Sequence, residues 1–528
     1  MSNHAYESAA ALRPSSNGPI PISTLCERFS LAPASAEDAA VLNDLSILGV
    51  SVDSADTAPG ELFVGLPGFT VHGARFAAQA VASGAVAVLT DADGAQIVHQ
   101  TAPGTPTLVH SDPRAVVGPL SAEVYHHPAR GLVTTAVTGT NGKTTTAYFL
   151  DAILSAHVGG CMVAGTVELR VGERSVESPR TTVEAPVLQR MMALAVEDKV
   201  GAASLEASSH AIVLHRLDGI VVDVAGFTNL QRDHLDFHKT MEGYLEAKAQ
   251  LFTPEHARRG VVCVDDQWGA TLAAEAPIEI DRVRAYPGDT PADWWVSDAA
   301  VSLTDSATTF TLHGPDGEKI EASCPLPGLV NVQNAALALV MAIRAGVPAA
   351  TAATALAGAH NIPGRMQRIS QRDGRRGLCI VDFAHTPDAM ELALKAVRPI
   401  TPGRLIVVFG SDGDRDQGKR PMLGEVCARL ADVLVVTDEN PRSEDPQLIR
   451  NAILEGVRGV RPDLTDVEEI TTWRGDAVRR GVELCGPDDT VIVTGKGHEP
   501  FLEMAGEFIR YNDAPVMAEA VEEKWGRA

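Results

Sequence analysis

The stretch "AVTGTNGKTTTAYFL" (residues 136–150) sets a lysine and three threonine hydroxyls directly behind two closely spaced glycines. The common phosphate-binding loop reads G-x-x-x-x-G-K-[ST]; Gly142, Lys143 and Thr144 supply its second half, while Val137 stands where the first glycine belongs. Backbone N–H groups at a helix start, together with Lys143, suit a polyphosphate, and the Thr144 or Thr145 hydroxyl can reach Mg²⁺. Further on, "SLEASSHA" (204–211) places Glu206 at the end of an apolar run, where a carboxylate suits Mg²⁺, with His210 just beyond. His210 is either a proton acceptor or a supporting histidine, and no catalytic role is assigned to it. "FTNLQRDHLDFHKT" (227–240) gathers Asp233, His234, Asp236 and His238 within six residues. Alone it reads as a polar loop with a helix cap at Asp236. Beside a nucleotide, its oxygen-rich side chains favour Mg²⁺ over zinc, and one imidazole among them is compatible with that.

These residues need elements to position them. "GLVTTAV" precedes the loop as a strand, and "TTAYFLDAILSAH" follows with apolar residues at helical spacing. Strand-like runs such as "GELFVGL", "AVAVLT", "VVDVAGFT", "RLIVVFG", "DVLVVT" and "TVIVTG" alternate with helical patterns, which predicts an α/β protein with parallel sheets. In such sheets ligands gather beyond the carboxyl ends of strands, so Glu206 and the 227–240 stretch converge on the loop. Pro/Gly breaks at "YHHPARG" (125–131) and "GAHNIPGRMQR" (358–368) divide the chain. The expected domains are a disordered leader over 1–20, an N-terminal domain over 21–128, a central domain over 129–362 and a C-terminal domain over 363–528. The alternating pattern from 276 to 327 reads as an antiparallel hairpin on the central domain.

With 528 residues, 45% hydrophobic and 21% charged, the chain has material for two to four cores. Its net charge of −24 argues against nucleic acid or an anionic membrane as main partner, so anionic ligands must be met locally. No apolar run approaches a membrane span, and the Pro/Ser-rich start lacks a signal core, which predicts a cytoplasmic protein. The seven cysteines form no C-x-x-C pair and read as reduced, mostly buried thiols.

In this order, "TGTNGKTTT", "EASSHAIVLHRL", "TNLQRDHLDFH", "YLEAKAQLF", "GLVNVQN", "IPGRMQ" and "VDFAHTPDAM" resemble the Mur ligases, ATP-dependent amide-bond-forming enzymes of peptidoglycan synthesis. "GSDGDRDQGKRPML", "TDENPRSEDP" and "TGKGHE" resemble those members that add meso-diaminopimelate to UDP-N-acetylmuramoyl-L-alanyl-D-glutamate. The likeness spans about residues 40 to 520. It implies three domains: an N-terminal α/β domain for the UDP-sugar, a central P-loop-type ATPase domain and a Rossmann-like C-terminal domain.

The resemblance also implies site residues. Gly139, Thr140, Asn141, Gly142, Lys143, Thr144, Thr145, Asn229 and Asn334 would bind ATP, joined by Arg365 and Asp382 of the C-terminal domain. Lys143, Glu206, His234 and Lys248 would be catalytic. Thr144, Glu206, His234 and a carbamate on Lys248 (N6-carboxylysine) would hold Mg²⁺. Only a neutral amine captures CO₂, so this role requires a lysine with a lowered pKa. Val52, Ser54, Phe69, Thr70, Val71, Thr181, Thr182, Ser208 and Arg216 would contact the UDP-muramoyl dipeptide. Arg415, Glu439, Asn440, Pro441, Arg442, Gly495 and Glu499 would bind diaminopimelate, with Arg442 forking onto its second carboxylate and Glu499 meeting the distal ammonium. A monomer is expected.

The sequence departs from the family pattern at four positions: Ala55 follows Asp53-Ser54 in place of arginine, Val183 replaces proline, Leu214 a frequent glutamine and Glu439 an aspartate. Two other readings stay open, a relative adding L-lysine or another amino acid and a non-catalytic nucleotide-binding scaffold. For Arg442 the plain alternative is a surface salt bridge to Glu444 or Asp445.

Overall fold

The computed structural model describes residues 11–302 and 307–526. They form two compact units, one comprising residues up to Trp295 with Ala336–Ala355, the other Val296–Ala335 with Leu356 onward.

The first unit contains two main sheets and a two-stranded antiparallel ribbon that pairs Ile20–Pro21 with Ser46–Ile47. Strands β1 (Ala32–Pro33), β2 (Gly49–Ser51), β3 (Glu61–Val64), β4 (Ala87–Thr90) and β5 (Thr107–Val109) lie in the order β1-β5-β4-β3-β2, parallel except for β1. β3 and β4 are buried at every residue, as parallel strands covered on both faces require. The larger sheet is built from β6 (Val133–Thr138), β7 (Cys161–Ala164), β8 (Glu168–Val171), β9 (Arg174–Glu177), β10 (Ala202–Glu206), β11 (Val224–Phe227), β12 (Arg259–Cys263), β13 (Glu279–Arg284) and the start of β14 (Trp294–Val301). Its order is β9-β8-β7-β10-β6-β11-β12-β13-β14, parallel from β7 to β14. Register decides where the site forms. Glu206 pairs with Val137 and Phe227 with Thr138, so the segments after β6, β10 and β11 leave the sheet at one edge.

The second unit carries the antiparallel hairpin β15 (Thr308–His313) and β16 (Lys319–Cys324). Its main sheet holds β17 (Gln367–Ser370), β18 (Leu378–Val381), β19 (Leu405–Phe409), β20 (Val433–Val436), β21 (Val467–Glu469) and β22 (Thr490–Val493), in the order β17-β18-β22-β19-β20-β21. All pairs are parallel except β17 with β18. A small ribbon follows, β23 (Phe501–Met504) with β24 (Glu507–Arg510).

Two expectations change. The antiparallel pairing expected over 276–327 holds from β14 onward: β14 lies beside β15, with the Ser302 N–H donating to the Ala307 carbonyl at 2.8 Å, and β15 pairs with β16; β13 instead continues the parallel sheet, pairing Cys263 with Val283, and residues 303–306 lie outside the described residues. Alternating polar and apolar residues mark a half-covered strand, but the alternation carries no information about strand direction. The leader expected over 1–20 is packed where it is described, its first ten residues lying outside. Leu12 is fully buried in the core of the larger sheet, Arg13 pairs with Asp56 and Glu61, and Asn17 Nδ2 donates to the carbonyls of Leu48 and Val124 at 2.6 and 3.0 Å. One leucine, one arginine and one asparagine do this, and bulk composition hides them.

All seven cysteines are free thiols, six of them buried. No helix among the described residues is long and apolar enough to cross a membrane.

Candidate active site

At the edge where β6 ends, Gly142 (φ 90°) opens the helix Lys143–Val158, and Gly139 holds φ 145°. A Cβ on Gly139 would lie 1.9 Å from Thr228 Oγ1, so close packing on the neighbouring strand demands glycine here. Asn229 clamps the loop: its Oδ1 accepts from the Asn141 N–H (3.1 Å), its Nδ2 donates to the Asn141 carbonyl (3.1 Å), and its carbonyl accepts from the Thr140 N–H (2.9 Å). Lys143 Nζ donates to the carbonyls of Gly139 (3.0 Å) and Thr140 (2.9 Å). Thr145 is buried in the first helical turn.

Glu206 is buried and meets three donors: Thr144 Oγ1 (3.0 Å), the Thr166 N–H (2.8 Å) and Thr166 Oγ1 (3.0 Å). Thr166 was not anticipated; it stands just past β7, in "MVAGT", at the same sheet edge. Lys248, on the helix Met241–Ala249, is 1% exposed. Its Nζ donates to the Gly139 carbonyl at 2.8 Å and lies 4.4 Å from the centre of the Tyr244 ring. Burial, and then the charge of Lys143, hold its pKa well below the ordinary lysine value. Burial that disfavours the ammonium favours the neutral amine, the form that adds to CO₂.

His234 (φ 52°) packs edge-on to His210, with ring centres 4.9 Å apart, and His238 stacks on Tyr244 at 4.8 Å. Burial lowers the pKa of all three histidines, and burial first, then the neighbouring His210, Lys248 and His234, takes His238 to about 4. Among the described residues no group of three or more His, Cys, Asp or Glu side chains converges as a metal cluster. Thr144 and Glu206 offer hard oxygen donors, which fit Mg²⁺ completed by water and phosphate oxygens better than a closed zinc site.

A cavity of about 210 Å³ lies on the N-terminal side of the first unit, lined by Val52, Asp53, Val71, Arg114, Arg180 and Glu184 among others. Phe69 and Thr70 are exposed beside it, whereas Ser54 is buried and donates to Gln79 Oε1 at 3.0 Å. Thr181 Oγ1 accepts from Thr166 Oγ1 (3.1 Å), while Thr182 Oγ1 donates to the Glu206 carbonyl (2.7 Å) and accepts from the Ser208 N–H (3.0 Å). These threonines therefore link the cavity to the loop. Arg114, Arg180 and Arg216 converge on Glu184 at 3.6, 3.0 and 3.0 Å. Arg114 and Arg180 escaped sequence reasoning, and they put positive charge in the cavity although position 55 is alanine. Leu214, one of the departures, gives its carbonyl to Arg114 Nη1 at 3.3 Å; Val183 is buried in the lining.

In the second unit, "ENPR" follows β20. Arg442 holds φ 55°, and its guanidinium stands between Glu503 (3.6 Å) and Asp412 (4.0 Å). Neither distance is a hydrogen bond, and Nε has no partner. Pairing with Glu444 or Asp445 does not occur: Arg420 grips Glu444 at 2.8 and 2.9 Å, and Asp445 caps the following helix. Asn440 Oδ1 accepts from Lys496 Nζ (2.9 Å) and its Nδ2 donates to Asp412 (3.1 Å) and Glu499 (3.2 Å). Buried Lys496 also donates to Glu499 Oε2 at 3.0 Å. Glu439 is buried, its Oε2 lacks a hydrogen bond, and burial followed by Asp412 raises its carboxyl pKa. Gly495 (φ 104°) leaves it room, since a Cβ there would lie 2.5 Å from that oxygen. The Pro441 carbonyl sits 1.9 Å from where Gly413 would carry a Cβ. Arg415 is exposed.

Also in the second unit, Arg365 lies over the Phe383 ring at 4.4 Å. Asp382 accepts from the N–H groups of Met366 and Ala384 at 2.7 and 2.9 Å, and burial raises its pKa. Asn334 is buried with Oδ1 unpaired. Asp412, Lys496 and Glu503 were missed by sequence reasoning; Lys496 stands in the "GKGHE" motif that supplied Gly495 and Glu499.

Comparison with known proteins names the class. Residues 46–123 match the model "Mur ligase family, catalytic domain", 137–342 "Mur ligase middle domain" and 364–497 "Mur ligase, glutamate ligase domain". The chain belongs to the Mur ligase family, ATP-dependent ligases that form amide bonds. It is 43% identical over 480 residues to the "UDP-N-acetylmuramoyl-L-alanyl-D-glutamate--2,6-diaminopimelate ligase" of Streptomyces coelicolor, covering 91% of this chain and 93% of the relative. The "UDP-N-acetylmuramyl-tripeptide synthetase" of Leifsonia xyli is 42% identical, covering 95% and 96%. A solved structure described as that of a UDP-N-acetylmuramoyl-L-alanyl-D-glutamate--2,6-diaminopimelate ligase superposes with a TM-score of 0.64 at 31% identity, covering 92% of this chain and 96% of the other.

Proposed function

We propose that this chain joins meso-diaminopimelate to the D-Glu γ-carboxylate of UDP-N-acetylmuramoyl-L-alanyl-D-glutamate, converting ATP to ADP and phosphate. It acts in the cytoplasm as a monomer, with residues 21–128, 129–362 and 363–528 serving the nucleotide sugar, ATP and the amino acid. The observation that carries the choice of amino acid is Arg442, whose backbone is fixed while its planar guanidinium has no hydrogen bond of its own. A second carboxylate on the incoming amino acid is the ligand such a fork suits.

A carboxylate does not condense with an amine at neutral pH. The γ-phosphoryl group therefore passes from ATP to a γ-carboxylate oxygen, ADP departs, and an acyl phosphate forms. The diaminopimelate amine, neutral when it attacks, bonds to the acyl carbon; phosphate leaves and the nitrogen loses a proton. The loop amides from Gly139 to Thr145 and Lys143 hold the phosphates in line, a task of positioning and charge. Lys248 Nζ adds to CO₂ and loses a proton, giving a carbamate anion. Thr144, Glu206, His234 and that carbamate would hold Mg²⁺, which would offset charge on the phosphates. Thr181, Thr182, Ser208 and Arg216 orient the dipeptide between cavity and loop.

ADP release measured with the UDP-muramoyl dipeptide and a panel of amino acids tests this reading. Turnover is expected with meso-diaminopimelate and at most weak turnover with L-lysine. Preference for L-lysine overturns the amino-acid assignment, and no ADP release with any amino acid overturns the enzymatic one.

A further inference from the structure

The turn between β2 and β3, residues 52–60, carries Asp53 and Asp56 but no lysine or arginine of its own, and Glu61 follows it. Asp53 and Asp56 line the cavity of the first unit. The Asp53 carbonyl folds the turn on itself, accepting from the Asp56 N–H at 3.1 Å and from Thr57 Oγ1 at 3.0 Å. The side chains of Asp56 and Glu61 are each 4% exposed, and carboxylates so buried need cations. Both cations come from outside the turn. Arg190, on the helix Ala185–Glu197, donates to Asp56 Oδ2 at 2.6 Å. Arg13 takes Asp56 Oδ1 at 3.2 Å and also donates to the Asp56 carbonyl and to Glu61 Oε1, so it grips the backbone of the turn as well as its charge.

The neighbours of Arg13 in the chain are anchored independently of the turn. Leu12 is fully buried in the core of the larger sheet, and Ser15 Oγ donates at 2.6 Å to Glu197, at the end of the Arg190 helix. Asn17 Nδ2 reaches the carbonyls of Leu48 and Val124. The guanidinium is thus delivered to the turn by a strap fastened at both of its ends, and it is not itself part of the cavity wall.

We propose that Arg13 is a positioning residue for the UDP-muramoyl dipeptide: acting through Asp56, it holds the β2–β3 turn in the shape that forms one wall of the nucleotide-sugar cavity. The inference rests on the reading under Proposed function. Arg190 fixes one oxygen of Asp56, and Arg13 fixes the other oxygen and the peptide carbonyl, so the turn is set by two cations of which only one belongs to a regular element. A lysine at position 13 offers a point charge without the fork and satisfies these acceptors incompletely.

Steady-state ADP release by the full-length chain, with each substrate varied in turn, tests this alongside thermal unfolding. Arg13→Ala is expected to raise KM for the UDP-dipeptide about tenfold, less than the roughly 100-fold that a misplacement of about 1 Å can cost. It is expected to leave kcat and the KM values for ATP and meso-diaminopimelate unchanged, with Arg13→Lys recovering part of the loss. Alanine leaves Glu61 buried without its cation, so Arg13→Met combined with Glu61→Gln provides a second test free of that orphan charge; Asp56 keeps Arg190, and the same rise in KM is expected. Glu61→Gln alone leaves Arg13 on Asp56 and is expected to keep the wild-type KM. A lower kcat and unfolding midpoint with an unchanged KM for the UDP-dipeptide would mean that Arg13 only stabilises the fold, and would overturn the proposal. A parallel rise in KM for ATP or meso-diaminopimelate would overturn it too, as would the same rise in Glu61→Gln alone. A wild-type chain that releases no ADP with the UDP-dipeptide would overturn the reading of the reaction itself, and this inference with it.

Discussion

Replacing Arg442 separates binding from folding, because the structure gives its side chain almost no share in holding the unit together. Its two ion-pair neighbours stand at 3.6 and 4.0 Å, beyond hydrogen-bond reach, and the side chain is 23% exposed. Loose pairs of this kind contribute about 0 to 1 kcal/mol. Arg442→Ala is therefore expected to change folding stability by under about 1 kcal/mol. Arg442→Gly is expected to match or slightly exceed the alanine variant, since a left-handed φ costs an L-residue about 1 to 2 kcal/mol and glycine's greater freedom when unfolded offsets part of that gain. Binding should respond differently. Two charge-assisted hydrogen bonds at about 1.5 kcal/mol each, the low end suited to a partly exposed site, sum to about 3 kcal/mol, or roughly 100-fold in kcat/KM for meso-diaminopimelate. Arg442→Lys keeps the charge without the fork and should lose about tenfold. The assay is steady-state ADP release with each substrate varied in turn, alongside thermal unfolding. The reasoning is refuted if kcat/KM for meso-diaminopimelate is unchanged in Arg442→Ala, or if KM for ATP or the UDP-dipeptide rises in parallel.

Lys248→Met keeps the length of a side chain that is 1% exposed and removes its amine, and the Gly139 carbonyl still receives Lys143. That variant is expected to unfold at a midpoint close to wild type yet release ADP at least 100-fold more slowly, and Lys248→Ala is expected to regain activity with a small added carboxylic acid; full activity without rescue would end the carbamate reading. Glu439→Gln tests a buried carboxyl of raised pKa. The folded chain holds that proton above pH 4.5 while the unfolded chain releases it, so wild-type stability falls as pH rises from there, by up to about 1.4 kcal/mol per pH unit. Unfolding midpoints from pH 5 to 8 should fall less steeply in the variant, and an identical slope would refute the burial argument.

The phosphate loop was legible because Gly142, Lys143 and three threonines stand between a strand and a helix; strand ends then led to Glu206 and the 227–240 stretch, while Asn229 came from the family resemblance. Register did the rest, and register is what one chain read linearly does not display. Thr166 contacts Glu206 because β7 lies beside β10, though the two residues are 40 positions apart. Arg114 reaches Glu184 from a separate segment, while Arg180 stands only four residues before it, each an ordinary surface arginine in the sequence. Glu503 was hidden for the same reason: its link to Arg442 runs through backbone pairing across 61 residues. Leu12 and Arg13 were lost in a segment whose average composition is that of a disordered leader, while their individual contacts are those of a packed strap.

The central claim is the identity of the bond formed. Incubating the enzyme with ATP, the UDP-muramoyl dipeptide and an equimolar mixture of meso-diaminopimelate and L-lysine, then weighing the product by mass spectrometry, reads it directly. A dominant UDP-muramoyl tripeptide carrying diaminopimelate, formed one-for-one with ADP, is the expected result. A dominant lysine adduct, or ADP released without any tripeptide, would contradict the account.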